Sequence, residues 1–477
     1  MRASLCLGLL LLSGLSACST DPTLEAPDHP PHAYLASADE TNLAGHVVLG
    51  QQLETAWWTL FGSDALNSLI HQAVKANPGL AAAKETLAQA QAAVEAEQGS
   101  QMPQVSLGAI TGRQQYGVAL FGPSNFFIPP FTYYEIGPSI SWTPDLFGGG
   151  QHRRERQQAL ADYQQHQLDA LYVALTGNVA AQAVQQAAWQ ADIDAVARLI
   201  ACDERLRDLT QRAIAAGAAS RPDLVDAEAR LEADQALLPA LQQGYSLHSH
   251  TLAVLLGHGP GEGTPMAVPW AQLKLPVTLP VSLPSALVHR RPDILAAEAE
   301  LHAAGAALGV AKANLYPSLT LSANMLQEAL TPSRIFYGAS NAWALAGAIS
   351  APVWDGGMLS AQRRGAEHAY RAALDNYRDT VVRAFGQVAD ALTALVHDDQ
   401  AIDRLSQGAR TATSALDIAH QHAEAGDGNQ MDIAQAQRLD AQARRQLTDA
   451  QAARDLDAIR LFVALGGVPP GSPPSGN

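Results

Sequence analysis

HRRPDILAAEAELHAAGAALGVAKANLYPSLTL, residues His289 to Leu321, is the stretch that decides how this chain folds. A proline opens an Ala-rich helical pattern, a second proline closes it, and an alternating apolar run with the period of a strand follows. The same design occurs earlier, in AVKANPGLAAAKETLAQAQAAVEAEQGSQMPQVSLGA, Ala73 to Ala109. Pro78 and Pro103 precede Pro292 and Pro317 by the same 214 residues, and Leu87 with Leu301 and Leu107 with Leu321 keep that register. The reading is an internal duplication.

After each second proline the period is two. Val105, Leu107 and Ala109 share one face, with Gln104, Ser106 and Gly108 on the other. The returning run sets Tyr134, Ile136, Pro138, Ile140 and Trp142 against Glu135, Gly137, Ser139 and Ser141, and a long aromatic loop, FGPSNFFIPPF, lies between. In the second copy Leu319, Leu321, Ala323 and Met325 go out, and Trp343, Leu345, Gly347 and Ile349 come back. The chain therefore has two hairpins, expected at about 103–143 and 317–351. Transmembrane strands need only about 9 to 11 residues with one apolar face, and these segments fit. Four strands cannot close a barrel, because closure must remove every edge and the smallest bacterial barrels have about eight strands, so several chains must share one. A soluble hairpin packed on helices would alternate in the same way.

Each hairpin returns through a Pro and Gly segment, PDLFGGGQHRR and PVWDGGMLSAQRR, into a long helical pattern, about 150–216 and 360–425. About 65 helical residues at 1.5 Å each reach roughly 100 Å, the scale of a periplasm. Apolar spacings of three and four, with Ala at many seam positions, resemble coiled-coil packing. Each long helix stops at a Gly turn, AAGAASRPDLVDAEARL and EAGDGNQMDIAQAQRLD; Gly217 and Gly426 are 209 residues apart, as are Gly257 and Gly466 near the repeat ends. The organisation expected is a first repeat over 56–258, a Pro-rich linker over 259–284, a second repeat over 285–466 and a loose tail over 467–477. WWTLFGSDALNSLIHQAV begins the ordered part, with Asp64 as helix cap.

The opening MRASLCLGLLLLSGLSAC reads as a secretory signal over 1–17. Leu15-Ser16-Ala17-Cys18 looks like a bacterial lipobox, in which Cys18 becomes the acylated first residue, and the following Ser19 is what that resemblance associates with the outer membrane. Residues 18–55, rich in Pro, His and Asp, are expected to form an extended tether in coil. After Cys18 only Cys202 remains, a small apolar buried residue by its helical surroundings. No later run has the roughly 18 consecutive apolar residues of a spanning helix, so any crossing is by strands.

A net charge of −16 and a pI near 5.3 exclude the basic stripe a nucleic acid would need. The 6% aromatic content, with abundant Ala, Gln and Leu, suits long closely packed helices. No enzyme motif stands out. His248 with His250, and His420 with His422, are two apart, not the three or four that put two metal ligands on one helix face, so they are expected at the surface. GHGPGEGTP lacks the Lys-Ser/Thr ending of a phosphate loop and reads as linker.

The lipobox at Cys18, WWTLFGSDAL at Trp57, HRRPDILAAEAEL at His289, AKANLYPSLTL at Ala311 and the two Gly turns together resemble the outer membrane channels (outer membrane factors) of tripartite bacterial efflux pumps, the TolC/OprM type, in its lipoprotein branch. The resemblance covers nearly everything after Cys18. It implies an α+β membrane protein with four β-strands per chain in a trimeric 12-stranded outer-membrane β-barrel, continuing into a long periplasmic α-helical barrel. It implies a homotrimer lipid-anchored in the outer membrane, no cofactor beyond the covalent lipid on Cys18, a periplasmic adaptor (membrane fusion) protein, and an inner-membrane transporter of the proton-driven resistance-nodulation-division type. The function implied is a passive exit channel, not an enzyme. The competing class is a helical lipoprotein acting as scaffold or adhesin.

By the same resemblance the Gly turns form the periplasmic tip, where adaptors dock around Gly217, Ser220, Arg221 and Gly426 and the pore closes. The family's constriction commonly carries acidic residues, matching Asp432 and, three positions on, Gln435, which departs from the acidic pattern; Met431 matches an apolar gate position. Asp223 and Asp226 occupy the repeat-equivalent places. Helix capping after a turn is the alternative reading of Asp223 and Asp432. Substrate identity, among drugs, organic acids, aromatics and metal ions, is not written in the sequence.

Overall fold

The computed structural model describes residues 47–51, 56–115, 129–263, 266–282 and 287–466. Cys18 and the signal, most of the tether, the middle of the first hairpin loop and the tail from 467 lie outside the described residues. Two compact units account for the rest: Thr86–Gln164 with Ala297–Tyr377, and residues up to Glu85 with Gln165–Ala296 and the chain from Arg378 onward.

The first unit holds an antiparallel sheet of β2 (Gln104–Gln114), β3 (Phe131–Trp142), β5 (Ser318–Ala329) and β6 (Asn341–Ser350), in that order. Two short strands, β1 (Val47–Leu49) and β4 (Leu279–Val281), belong to the other unit. The register fixes the faces. Val105 lies opposite Ile140, Ile140 opposite Ala323, and Ala323 opposite Leu345, so one face is apolar across all four strands. The other face carries Ser106 opposite Ser139, their hydroxyls 2.8 Å apart, and Ser139 opposite Asn324. The apolar face is bare: Leu107, Trp343 and Leu345 are 75%, 72% and 74% exposed. Ladder pairing between β3 and β5 lapses at Gly137 and Pro138, where proline has no N–H to give; Gly137 lets the carbonyl of Met325 come so close that a Cβ would lie 2.2 Å from it. Within this unit α6 (Pro292–Ala313) and α7 (Met358–Ala425) meet through buried Leu301, Tyr370, Ala373 and Leu374. Among the described residues α6 is also the one helix long and apolar enough by composition to cross a membrane, although Asp293, Glu298, Glu300 and Lys312 interrupt its apolar residues; half of its most apolar stretch is buried inside the chain, as in a core helix.

The second unit is helical. α1 (Asp64–Ala76) and the first turns of α2 (Pro78–Ser100) lead in; α3 (Gly149–Ala215) from Gln165 on, α4 (Arg221–Gln235) and α5 (Leu238–Leu255) follow in the first copy, and α7 from Arg378 on with α8 (Gln430–Ala464) in the second. The cap of α1 is Ser63, whose extended backbone (φ −113°, ψ 111°) lets Oγ accept from the Leu66 N–H at 3.3 Å; Asp64 is the first helical residue, not the cap. Trp57 and Phe61, 1% and 0% exposed, form the core with Phe462, whose ring centroid is 5.3 Å from that of Trp57. β1 pairs in parallel with β4, so Val47–Leu49 is ordered strand, not coil: β-branched residues met an unpaired edge in the linker.

The duplication is visible as two matching joints. In the first copy Asn77 Nδ2 donates to the Leu255 carbonyl at 3.0 Å, and Gly257 (φ 82°) sits against the Ala76 carbonyl. In the second, Arg291 Nη1 donates to the Ala464 carbonyl at 2.8 Å, and Gly466 (φ 70°) sits against Arg290 and Arg291. The copies differ at Pro239, which leaves the Gln235 carbonyl without its helical donor and kinks α4 into α5. The equivalent position in α8 is Thr448, which keeps its N–H and whose hydroxyl donates to the Arg444 carbonyl at 3.1 Å, and α8 runs unbroken for 35 residues.

Candidate gate at the glycine turns

Both long helices end in one motif. The Ala218 N–H donates to the Ala213 carbonyl at 2.8 Å and the Gly217 N–H to Ile214 at 2.9 Å; the Asp427 N–H donates to His422 at 2.9 Å and the Gly426 N–H to Ala423 at 3.2 Å. Gly217 and Gly426 hold φ of 76° and 84°, the left-handed conformation that lets a helix stop and reverse.

The next helices start alike. The Asp223 carboxylate accepts from the Ser220 N–H at 2.8 Å and the Ser220 hydroxyl at 2.6 Å, which hold its pKa below the usual aspartate value. Asn429 Oδ1 accepts from the Asp432 N–H at 2.8 Å, and Asp432 Oδ2 accepts in return from the Asn429 N–H at 3.4 Å. Both aspartates are therefore capping-box residues, whatever else they do.

Between the two turns lies a cavity of about 510 Å³. Asp223, Asp226, Met431 and Gln435 all line it, together with Asp203, Thr210, Arg230 and Asn429. Asp432 is exposed and is not among its lining residues, and Gly217, Ser220, Arg221 and Gly426 are exposed around the turns.

Beside this cavity stands a cluster that the sequence reading missed. Arg438, three residues past Gln435, donates through Nε to Asp203 at 2.8 Å and through Nη2 to Asp234 at 2.9 Å, tying α8 to α3 and α4. The Asp203 side chain is 1% exposed. Burial, and then the facing Asp234 carboxyl, push its pKa up. The signal was present: Asp203 stands three residues before Leu206 and seven before Thr210, a charge in a seam position, and such a charge needs a partner. Cys202 beside it is half-buried, not a core residue. His248 is also not a surface residue: its ring stacks on Trp189 at 6.1 Å and Nδ1 lies 2.7 Å from Gln182 Oε1, and burial pushes its pKa down. Among the described residues no group of His, Cys, Asp and Glu is arranged to hold a metal ion.

The outer membrane efflux protein family model matches residues 69–258 and 283–467. The chain is 31% identical over 477 residues to the pyoverdine export outer membrane protein OpmQ of Pseudomonas putida, covering 97% of each chain. It is 29% identical over 476 residues to the outer membrane protein OprJ of Pseudomonas aeruginosa, covering 96% of this chain and 95% of that one. Among solved structures, the outer-membrane channel OprN superposes with a TM-score of 0.83 at 27% identity, over 94% of this chain and 99% of that one.

Proposed function

Because the chain belongs to the outer membrane efflux protein family, we propose that its two glycine-turned hairpins form the gate of an efflux exit channel and that Arg438 holds that gate shut. The protein is an outer membrane exit channel and not an enzyme. In the family's architecture four strands from each of three chains close a twelve-stranded β-barrel, and the long helices form an α-helical barrel in the periplasm. The sheet supports this: its apolar face is exposed as a lipid-facing surface requires, and β2 and β6 are edges for neighbouring chains to pair. A tethered scaffold or adhesin would need neither.

Such channels work with a periplasmic adaptor and an inner-membrane pump. The pump best suited here is proton-driven and of the resistance-nodulation-division type, with the adaptor docking around Gly217, Ser220, Arg221 and Gly426. Cys18 carries the lipid anchor. Three copies of Met431, Asp432 and Gln435, with Asp223 and Asp226 behind them, narrow the pore, and the Asp432 ring favours cations. The observation that carries the gate is the Arg438 cluster, since one half-buried guanidinium, held on the buried Asp203, joins both hairpins of the chain.

Arg438→Ala removes that tie and leaves two carboxyls facing each other. In planar bilayers the variant trimer is expected to conduct at least several-fold more than the resting wild type. Equal conductance would overturn Arg438 as the closing contact.

A further inference from the structure

Arg438 is not alone on its face of α8. Arg445 follows seven residues later, two helical turns on, and points to the same neighbour. Its Nε donates to Asp192 Oδ1 at 3.0 Å, with Nη2 3.5 Å from Oδ2. Asp192 and Asp203 are eleven residues, about three turns, apart on one face of α3. The seam between the antiparallel helices α8 and α3 therefore has two rungs.

The two rungs share an imbalance. At the first, one guanidinium faces two carboxyls, Asp203 and Asp234. At the second, Asp449, one turn beyond Arg445, brings its carboxyl against that of Asp192. The charged groups around this pair are Asp192 from α3, Arg445 from α8 itself, and Asp234 from α4, whose field also reaches Arg445. With both carboxyls ionised the rung carries one uncompensated negative charge in a seam where Asp192 is only 9% exposed.

We propose that Arg445, Asp192 and Asp449 form a second latch on the α8–α3 seam, a positioning element for the gate that acid tightens and neutral pH loosens. The proposal rests on the gate reading above. Loss of water on its packed side, and then the Asp192 carboxylate, push Asp449 up to about 6. Its proton is thus held more firmly in the packed seam than where the helices part and Asp449 returns to its ordinary value. Protonation below about pH 6 favours the packed seam, and that contribution is lost as pH rises through about 6. A periplasmic latch of this kind would make the resting leak follow the pH outside the cell.

The test is resting conductance of the full-length trimer in planar bilayers between pH 5.0 and 7.5, values that bracket the titration of Asp449 near 6. Wild type is expected to rise several-fold across that range. Asp449→Asn, which keeps the shape and fixes the neutral form, is expected to stay near the acid level and so remove at least half of the step. Asp192→Asn, which leaves Arg445 one unshared carboxylate, is expected to flatten the profile too. A flat wild-type profile, or an unaltered step in both variants, overturns the latch. If Arg438→Ala still opens the channel in that case, the gate stands and only the latch falls; if neither pH nor Arg438→Ala changes conductance, both fall.

Discussion

At the scale of single residues, the same task is met by different chemistry in the two copies. Arg291, 6% exposed, holds Asp293 through two hydrogen bonds of 2.9 and 2.6 Å, Gln387 at 2.7 Å and the Ala464 carbonyl at 2.8 Å, where the first copy uses only Asn77. Arg291→Met keeps the stem but leaves the Ala464 carbonyl without this donor, at a cost of about 1–3 kcal/mol. The expected result is an earlier thermal loss of helical circular dichroism in detergent than in wild type, and an unchanged melt would mean that the carbonyl finds another donor. The Arg291 position was legible in the sequence, because HRRPD marks a helix start. Its role was not, since the partner carbonyl lies 173 residues away. Arg438 was lost for the same reason: Asp203 and Asp234 are distant in sequence, and only folding sets them around one guanidinium.

At the scale of elements, glycine positions that look alike in sequence carry different loads. Gly217 has a positive φ and open space around its missing Cβ, so Gly217→Ala incurs only backbone strain, about 1–2 kcal/mol. Gly257 has the same conformation, but a Cβ there would lie 2.5 Å from the Ala76 carbonyl, so Gly257→Ala adds a clash with backbone that cannot swing away. Parallel thermal melts of the two variants should show the larger loss for Gly257→Ala; equal losses would mean that the joint between α1 and α5 yields. The strands and long helices themselves were readable because their periods, two and near 3.6, persist over many residues and average out local exceptions. Short elements offered no such averaging. Val47–Leu49 is only three residues long, and its pairing with Leu279–Val281 depends on a partner across more than two hundred residues.

For the whole molecule, the two faces of the sheet make opposite demands. Leu345→Lys places a charge on the apolar face, where a lipid-facing lysine near the bilayer midplane costs about 2–4 kcal/mol. Its neighbour Ala346 points to the face that carries Ser322 opposite it, and Ala346→Lys should be tolerated. Trimer survival on semi-native gels after heating reads the difference, and equal behaviour of the two variants would contradict the assignment of faces. The duplication also has a mechanical side. The return arm of the first hairpin bends at Pro239, whereas that of the second is one continuous rod of 35 residues. A pull applied at the turns would be absorbed at the bend in one arm and carried undiminished along the other. Around a ring of three chains, compliant and stiff spokes would alternate, so that stiffness, rather than charge, selects which hairpin yields first to a docking partner.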